Sequence, residues 1–185
     1  MSRPPTIMLL SGSMRPNSCS SETCRVAAAM SEAKGAEALS LSVLELDLPM
    51  YVPEQEVSAF KHGQDAIHQL LTAYRHADAF LWCSPAYHGS VTGAFKNAID
   101  FAEFLSRDHP PYLQSKPVGI VAINDCTPFA AMRESARELR AWVAPTHVEI
   151  PESEFTADRK LTNERSLKRL ERLVEELLHH VNGHS

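Results

Sequence analysis

No stretch of this 185-residue sequence reaches the roughly 18 consecutive apolar residues that crossing a bilayer takes. The apolar run after Arg3 is also too short for the core of a secretory signal. Positive charge is scarce as well: 18 Lys and Arg stand against 23 Asp and Glu, so no basic stripe is available for a phosphate backbone. These absences predict a cytoplasmic protein that binds neither membranes nor nucleic acids.

Cysteine and glycine are also sparse. The four cysteines, Cys19, Cys24, Cys83 and Cys126, form no CxxC pair and no metal-ligand spacing, so we expect reduced thiols and no metal site. Gly12 has no glycine near it, so the GxGxxG dinucleotide fingerprint is missing, and so is the GxxxxGK[ST] phosphate loop. The sequence therefore argues against a conventional dinucleotide-binding fold and against phosphoryl transfer.

What the chain does contain is a regular alternation of short apolar runs and amphipathic segments. The apolar runs predict strands over 6–11, 38–46, 79–84, 117–124 and 146–151. The amphipathic segments predict helices over 18–34, 66–74 and 91–105, from Thr127–Pro128 onward, and over 167–181. Five strand–helix repeats call for a parallel sheet with helices on both faces. We expect residues 1–185 to form a single domain. The periodicity of the sequence does not determine the order of its strands.

The turn after the first predicted strand is rich in hydroxyl groups. Ligands of open α/β sheets bind beyond the carboxyl ends of the strands, so this turn is a candidate site. Ser13, Arg15 and Ser18 precede a predicted helix, whose first amides and positive dipole end favour an anion. Hydroxyl donors and a guanidinium together suit a phosphomonoester. The alternative is that Ser18 only caps the helix and Arg15 is solvated.

The turn after the third predicted strand presents an aromatic ring among small residues. Tyr87 and His88 stand at the predicted edge of the sheet, and Gly89 allows a close backbone approach. This combination suits a flat heteroaromatic ring. The alternatives are a half-buried core Tyr87 and a His88 that only forms a turn. Lys96 and Asn97, in the helix that follows, are expected on a solvated face.

Both turns carry family-like motifs in the right order. GSMRPNSCS at 12–20 resembles the GSxRxxSxN phosphate loop of the NAD(P)H-dependent FMN reductase family, and SPAYHGSVTGAFKNAIDF at 84–101 is similar to its PEYNGSxPGxLKNAIDW segment. LPMYVPE at 48–54 resembles the family's LPLY loop, and 141–164 resembles its C-terminal stretch. The resemblance implies a flavodoxin-like three-layer α/β sandwich with a five-stranded parallel sheet in the order 2-1-3-4-5.

The resemblance also implies which residues bind the cofactor FMN. The phosphate would be held by the serines and the arginine of the first turn, namely Ser13, Arg15, Ser18 and, where the family usually has asparagine, Ser20. The flavin ring would be surrounded by the turn after strand three and lined by the turn after strand four, namely Pro85, Ala86, Tyr87, His88, Gly89, Asn124 and Asp125. Ala86 and His88 replace the family's glutamate and asparagine. No protein side chain is expected to act as a base or nucleophile, because the cofactor carries the difficult step.

The activity implied by the resemblance is that of an oxidoreductase. Hydride would pass from NAD(P)H to N5 of FMN, and electrons then to a flavin, a quinone or another small acceptor. The alternatives are a flavodoxin-like electron carrier for a protein partner, although such carriers are usually more acidic, and a non-catalytic relative that has lost the flavin. The resemblance further implies a homodimer or homotetramer. We expect part of the interface to come from the apolar excess of the 91–105 helix, which includes Phe95, Ile99, Phe101, Phe104 and Leu105.

Overall fold

The computed structural model describes residues 3–183, which form one five-stranded sheet flanked by helices. The strands are β1 (Thr6–Ser11), β2 (Glu37–Ser42), β3 (Ala79–Pro85), β4 (Pro117–Ile123) and β5 (Trp142–Ile150). The α-helices are α1 (Cys19–Ala33), α2 (Val43–Leu46), α3 (Gln64–His76), α4 (Gly93–Asp100), α5 (Pro128–Glu138) and α6 (Glu164–Gly183). Short 3-10 helices cover Val57–Ala59, Phe101–Leu105 and Glu152–Glu154. No helix between residues 3 and 183 has the length and apolar character needed to span a membrane.

The strands are all parallel and lie in the order β2-β1-β3-β4-β5, which confirms the flavodoxin-like topology expected from the resemblance. The chain runs outward from β1 to β2 and then returns past β1 to β3. The connections after β1 and β3 therefore leave on opposite sides of the sheet, and this reversal opens a crevice at the carboxyl ends of these two strands.

Alternating side chains of the strands feed two separate cores. Met8 and Leu10 of β1 face the core shared with α3, α4 and α5, whereas Ile7 and Leu9 face the core shared with α1 and α6. This alternation follows from the two-residue period of a strand. The alternation confirms a three-layer arrangement with helices on both faces. The carboxyl edge of the sheet therefore lies between two packed helical layers.

The predicted second strand, 38–46, is too long. β2 ends at Ser42, and its hydroxyl accepts a hydrogen bond from the amide of Leu44 at 3.3 Å, which caps the short helix α2. Val43 and Leu46 are then buried three residues apart, as on a helix face. The alternation of apolar residues runs on past Ser42, so periodicity does not mark the end of the strand.

The predicted fifth strand, 146–151, starts four residues too late. β5 begins at Trp142, and its pairing with β4 shifts register between Val118 and Ile120. This irregularity accommodates Pro145, which an edge strand tolerates because one of its sides has no hydrogen-bonding partner strand.

The segment predicted as a helix over 91–105 is capped by Thr92 and changes to a 3-10 helix after Asp100. Phe95, Ile99, Phe101 and Leu105 are all buried in the chain's own core, and only Phe104 stays partly exposed. Phe95 and Ile99 are buried in α4 itself, and Phe101 and Leu105 are buried in the 3-10 segment. Their apolar surface therefore gives no support to an interface, and the homodimer stays a prediction.

The two polar residues of α4 behave differently. Lys96 is exposed and pairs with Asp100 one turn later, as expected for a solvated face. Asn97 is buried, so the prediction for it is wrong. Its Oδ1 accepts from the Tyr51 amide at 2.8 Å, and its Nδ2 donates to the Pro49 carbonyl at 2.9 Å. Asn97 therefore fastens the loop that contains LPMYVPE to α4.

Candidate functional site

The turn after β1 is attached to the neighbouring strand at Gly12. The Gly12 amide donates to the Cys83 carbonyl at 2.8 Å, and the Thr92 hydroxyl donates to the Gly12 carbonyl at 2.6 Å. A Cβ at this position would lie 3.0–3.1 Å from the Phe95 ring and the Cys83 carbonyl oxygen. Only glycine allows this close approach, which brings the turn to the carboxyl end of β3.

Beyond Gly12 the turn is organised by its own serines. The Ser13 hydroxyl accepts from the Arg15 amide at 3.2 Å, and the Ser18 hydroxyl accepts from the Ser21 amide at 3.0 Å. Ser18 is therefore the N-cap of α1, as the structural interpretation of the sequence predicted. The capping does not remove it from the site, because Ser18 also lines the cavity at the end of the sheet.

Two kinds of polar group at the start of α1 have no protein partner within residues 3–183. The first-turn amides of Cys19 and Ser20 donate to no protein acceptor there, as is general for the first turn of a helix. The Ser20 hydroxyl is 1% exposed and also unpaired, although it lines the cavity. A buried hydroxyl without a partner costs free energy, so its presence at a helix N-terminus favours an anionic ligand.

The turn after β3 is a tight hairpin. Tyr87 and Ser90 exchange backbone hydrogen bonds at 2.9 and 3.1 Å, and both central residues, His88 and Gly89, have positive φ. His88 therefore forms a turn, as its structural interpretation predicted. The amides of His88 and Gly89 donate to no acceptor in the described part of the chain, so they remain available as donors.

The turn after β4 divides its two predicted site residues. Asn124 lines the cavity, and its Oδ1 accepts from the Glu152 amide at 3.2 Å. Asp125 instead accepts from the amide and hydroxyl of Thr127, at 2.8 and 2.5 Å, which holds the start of α5. These hydrogen bonds lower the pKa of Asp125. Its carboxylate is committed to the turn, and the structure does not bring it to the cavity.

The cavity itself has a volume of about 240 Å³ and collects most of the predicted residues. Those that line it are Ser13, Arg15, Ser18, Ser20, Pro85, Ala86, Tyr87 and Asn124. Those that do not line it are His88, Gly89 and Asp125. His88 and Gly89 directly follow Tyr87 in the hairpin turn, and Tyr87 is 43% exposed at the rim of the cavity.

The predicted site lacks two charged residues that line the cavity, Glu152 and Arg159. They form an ion pair, and donation from Arg159 is the main cause of the lowered pKa of Glu152, to which the charge of Arg15 also contributes. Both residues follow β5, whose carboxyl end lies at the same edge as those of β1, β3 and β4. The rule that sites lie beyond strand ends applied to β5 as well, and would have pointed to this segment.

Comparison with known proteins identifies the family of the chain. Residues 5–159 match the model of the family described as NADPH-dependent FMN reductase. The chain belongs to this family. Membership confirms the resemblance found in the sequence.

The chain matches its curated relatives over part of their length. The chain is 35% identical over 133 residues to a quinone reductase of Pseudomonas putida, which covers 67% of this chain and 62% of the relative. It is 34% identical over 90 residues to an FMN-dependent NADPH-azoreductase of Staphylococcus saprophyticus, covering 46% of this chain and 45% of the relative. The matched region is thus less than two thirds of either relative.

Solved structures share the fold. The flavoenzyme FerB of Paracoccus denitrificans, an NAD(P)H:(acceptor) oxidoreductase, superimposes with a TM-score of 0.74. The match covers 97% of this chain and 98% of FerB at 21% sequence identity. At that identity the similarity establishes the flavodoxin-like fold alone.

Proposed function

We propose that this chain is an NAD(P)H-dependent oxidoreductase that holds FMN at the cavity and passes electrons to a small acceptor such as a flavin or a quinone. The observation that carries the proposal is the unpaired, buried Ser20 hydroxyl beside the open amides at the start of α1. These groups fit a phosphate, which offers several acceptor oxygens and negative charge.

The residues of the cavity suit the separate parts of FMN. Ser13, Ser18, Ser20 and Arg15 would hold the phosphate, because hydroxyls and a guanidinium donate hydrogen bonds to it. A volume of about 240 Å³ is below the roughly 300–1,000 Å³ of pockets that enclose a whole small ligand. The cavity therefore suits the phosphate end, with the half-exposed ring of Tyr87 at its rim left to contact the flavin.

The protein's part in the chemistry is to position the flavin and to stabilise negative charge on it. Bound FMN supplies two-electron transfer between NAD(P)H and the acceptor. The free amides of His88 and Gly89 are preorganised by the hairpin, so they can donate to negative charge at the edge of a ring without rearrangement. This role needs their backbone and not the His88 imidazole, and no catalytic side chain is proposed.

The proposal is tested by the visible spectrum and the NAD(P)H oxidation of the purified protein. We expect flavin absorbance bands after incubation with FMN and gel filtration, and steady-state oxidation of NAD(P)H with a quinone or free flavin. Protein without added flavin is the control. Bound flavin without steady-state oxidation would indicate the electron carrier instead, and absence of flavin binding would indicate the non-catalytic relative.

Replacement of Ser20 by alanine separates the phosphate site from the fold. We expect FMN binding to weaken about tenfold, because a hydrogen bond to a charged group contributes about 1.5 kcal/mol or more. The melting temperature of the protein without flavin should stay unchanged or rise, since the hydroxyl has no partner there. Fluorescence titration and thermal unfolding measure the two effects.

The matched control for this variant is Ser11→Ala. The Ser11 hydroxyl is also buried and has no hydrogen-bond partner among residues 3–183, but Ser11 does not line the cavity. We expect this variant to bind FMN as the wild type does. Equal FMN affinities in all three proteins would contradict the assignment of Ser20 to the phosphate.

Three wider expectations remain part of this proposal. Composition and pattern predict that residues 1–185 form a single domain and that the chain acts in the cytoplasm, and the family resemblance implies a flavodoxin-like domain that assembles as a homodimer or homotetramer. The choice of physiological acceptor also belongs here, because the matched relatives are named for different ones, a quinone and azo compounds.

A further inference from the structure

Arg159 occupies a backbone position that is unfavourable for arginine. It lies in the turn that joins the paired residues Phe155 and Leu161, and its amide donates to the Thr156 carbonyl at 2.9 Å. Its φ is 65°, in the left-handed region, where glycine is favoured because a Cβ meets the backbone. Glycine would therefore suit this turn better than arginine.

The side chain of Arg159 is placed against the start of α1. Its Nη1 lies 3.2 Å from Sγ of Cys19, the first residue of the helix, and it lines the cavity together with Arg15. A cation is disfavoured at a helix N-terminus, because the macrodipole is positive there. Two arginines at this end would repel the helix dipole and each other unless an anion joins them.

Glu152 supplies a negative charge, but it does not account for the arrangement. The Arg159–Glu152 pair is about two-fifths exposed at both side chains, and exposed ion pairs contribute little to stability. Such a pair could be made without a strained backbone and away from a helix N-terminus. Meanwhile the Ser20 hydroxyl in the same cavity stays buried and unpaired, which shows that Glu152 does not satisfy the site.

We propose that Arg159 is a second guanidinium ligand of the FMN phosphate, and that it exchanges Glu152 for the phosphate when the flavin binds. The inference rests on the proposed function and deepens it. Arg159 and Arg15 then share the two negative charges of the phosphate. The turn after β1 and the segment after β5 therefore both contribute to the preference for phosphorylated over unphosphorylated flavin.

The test is Arg159→Gly, measured by fluorescence titration with FMN and, separately, with riboflavin. Glycine suits a φ of 65°, so the variant should fold and unfold at the wild-type temperature or above. We expect its dissociation constant for FMN to rise about tenfold, as for loss of one hydrogen bond to a charged group. Riboflavin, which lacks the phosphate, should bind with unchanged affinity.

Arg140→Gly is the matched control. Arg140 also has a left-handed backbone, with φ of 62°, but it follows α5 at the opposite edge of the sheet and lies over the Tyr112 ring. The control therefore removes the same charge from the same kind of backbone. We expect it to bind FMN as the wild type does. Arg159→Gln, which keeps a side chain at the turn, should weaken FMN binding as Arg159→Gly does.

The possible results separate this inference from the proposed function. Wild-type FMN affinity in Arg159→Gly would overturn the role of Arg159 and leave the proposed function intact. An equal loss of FMN and riboflavin binding would also overturn it, because Arg159 would then shape the pocket without contacting the phosphate. A wild-type protein that binds no FMN would overturn both.

Discussion

Replacing Arg15 with alanine is expected to weaken FMN binding by about 2–3 kcal/mol, or roughly 30- to 150-fold, the largest loss of any single side chain in the site. Arg15 lines the cavity and is exposed, and it has no side-chain partner within residues 3–183 that it must give up. Its guanidinium fork is therefore fully available to the phosphate. Arg159 must first leave Glu152, so its expected effect is smaller.

The measurement is a fluorescence titration of the variant with FMN and with riboflavin, at low and at physiological ionic strength. The loss should be confined to FMN and should shrink as salt screens the charge. Arg75→Ala is the control. Arg75 lies in the last turn of α3, at the amino ends of the strands and so away from the cavity, and it pairs with Asp108. An unchanged FMN dissociation constant in Arg15→Ala would contradict the phosphate site.

Replacing Asn97 with alanine is expected to lower the free energy of unfolding by about 3 kcal/mol. The buried amide makes two hydrogen bonds, to the backbone of Tyr51 and Pro49, and the substitution leaves both backbone groups without their partner. Each unsatisfied buried group costs about 1–3 kcal/mol. For a chain of this size the melting temperature should fall by about 6–12 °C.

Thermal unfolding followed by circular dichroism measures this effect. Lys96→Ala is the control on the same helix, because Lys96 is exposed and its pair with Asp100 contributes less than about 1 kcal/mol. Rapid proteolysis near Tyr51 should accompany the lower stability, since its loop loses the bonds that hold it to α4. A melting temperature equal to that of Lys96→Ala would show that these hydrogen bonds contribute nothing.

The largest group of predicted residues that line the cavity is contiguous in sequence. The predicted phosphate turn runs from Gly12 to Ser20, and Ser13, Arg15, Ser18 and Ser20 come together because the chain between them is short. A glycine, capping serines and an arginine in one turn carry their own geometric meaning. Local chemistry therefore identified this turn before its neighbours in space were known.

The parts that were missed depend on contacts between distant segments. Arg159 reaches Cys19 across 140 positions of the chain, and Asn97 reaches Pro49 across 48. Neither residue stands in a pattern that reports its partner. A charged residue in a turn and a polar residue on a helix are usually solvated, so sequence alone favoured the wrong environment for Asn97. For Arg159 the end of the fifth predicted strand pointed to the segment but not to the contact with Cys19.

The amino-acid order alone was enough for the five strand–helix repeats and for the capped turn after β1, because hydrophobic period and turn chemistry act over a few neighbouring residues. Packing in three dimensions decided the end of β2 at Ser42, the burial of Phe101 and Leu105, and the meeting of Arg159 with the start of α1. Periodicity states which face of an element is apolar. What that face, or a charged side chain beside it, finally contacts depends on where the rest of the chain folds.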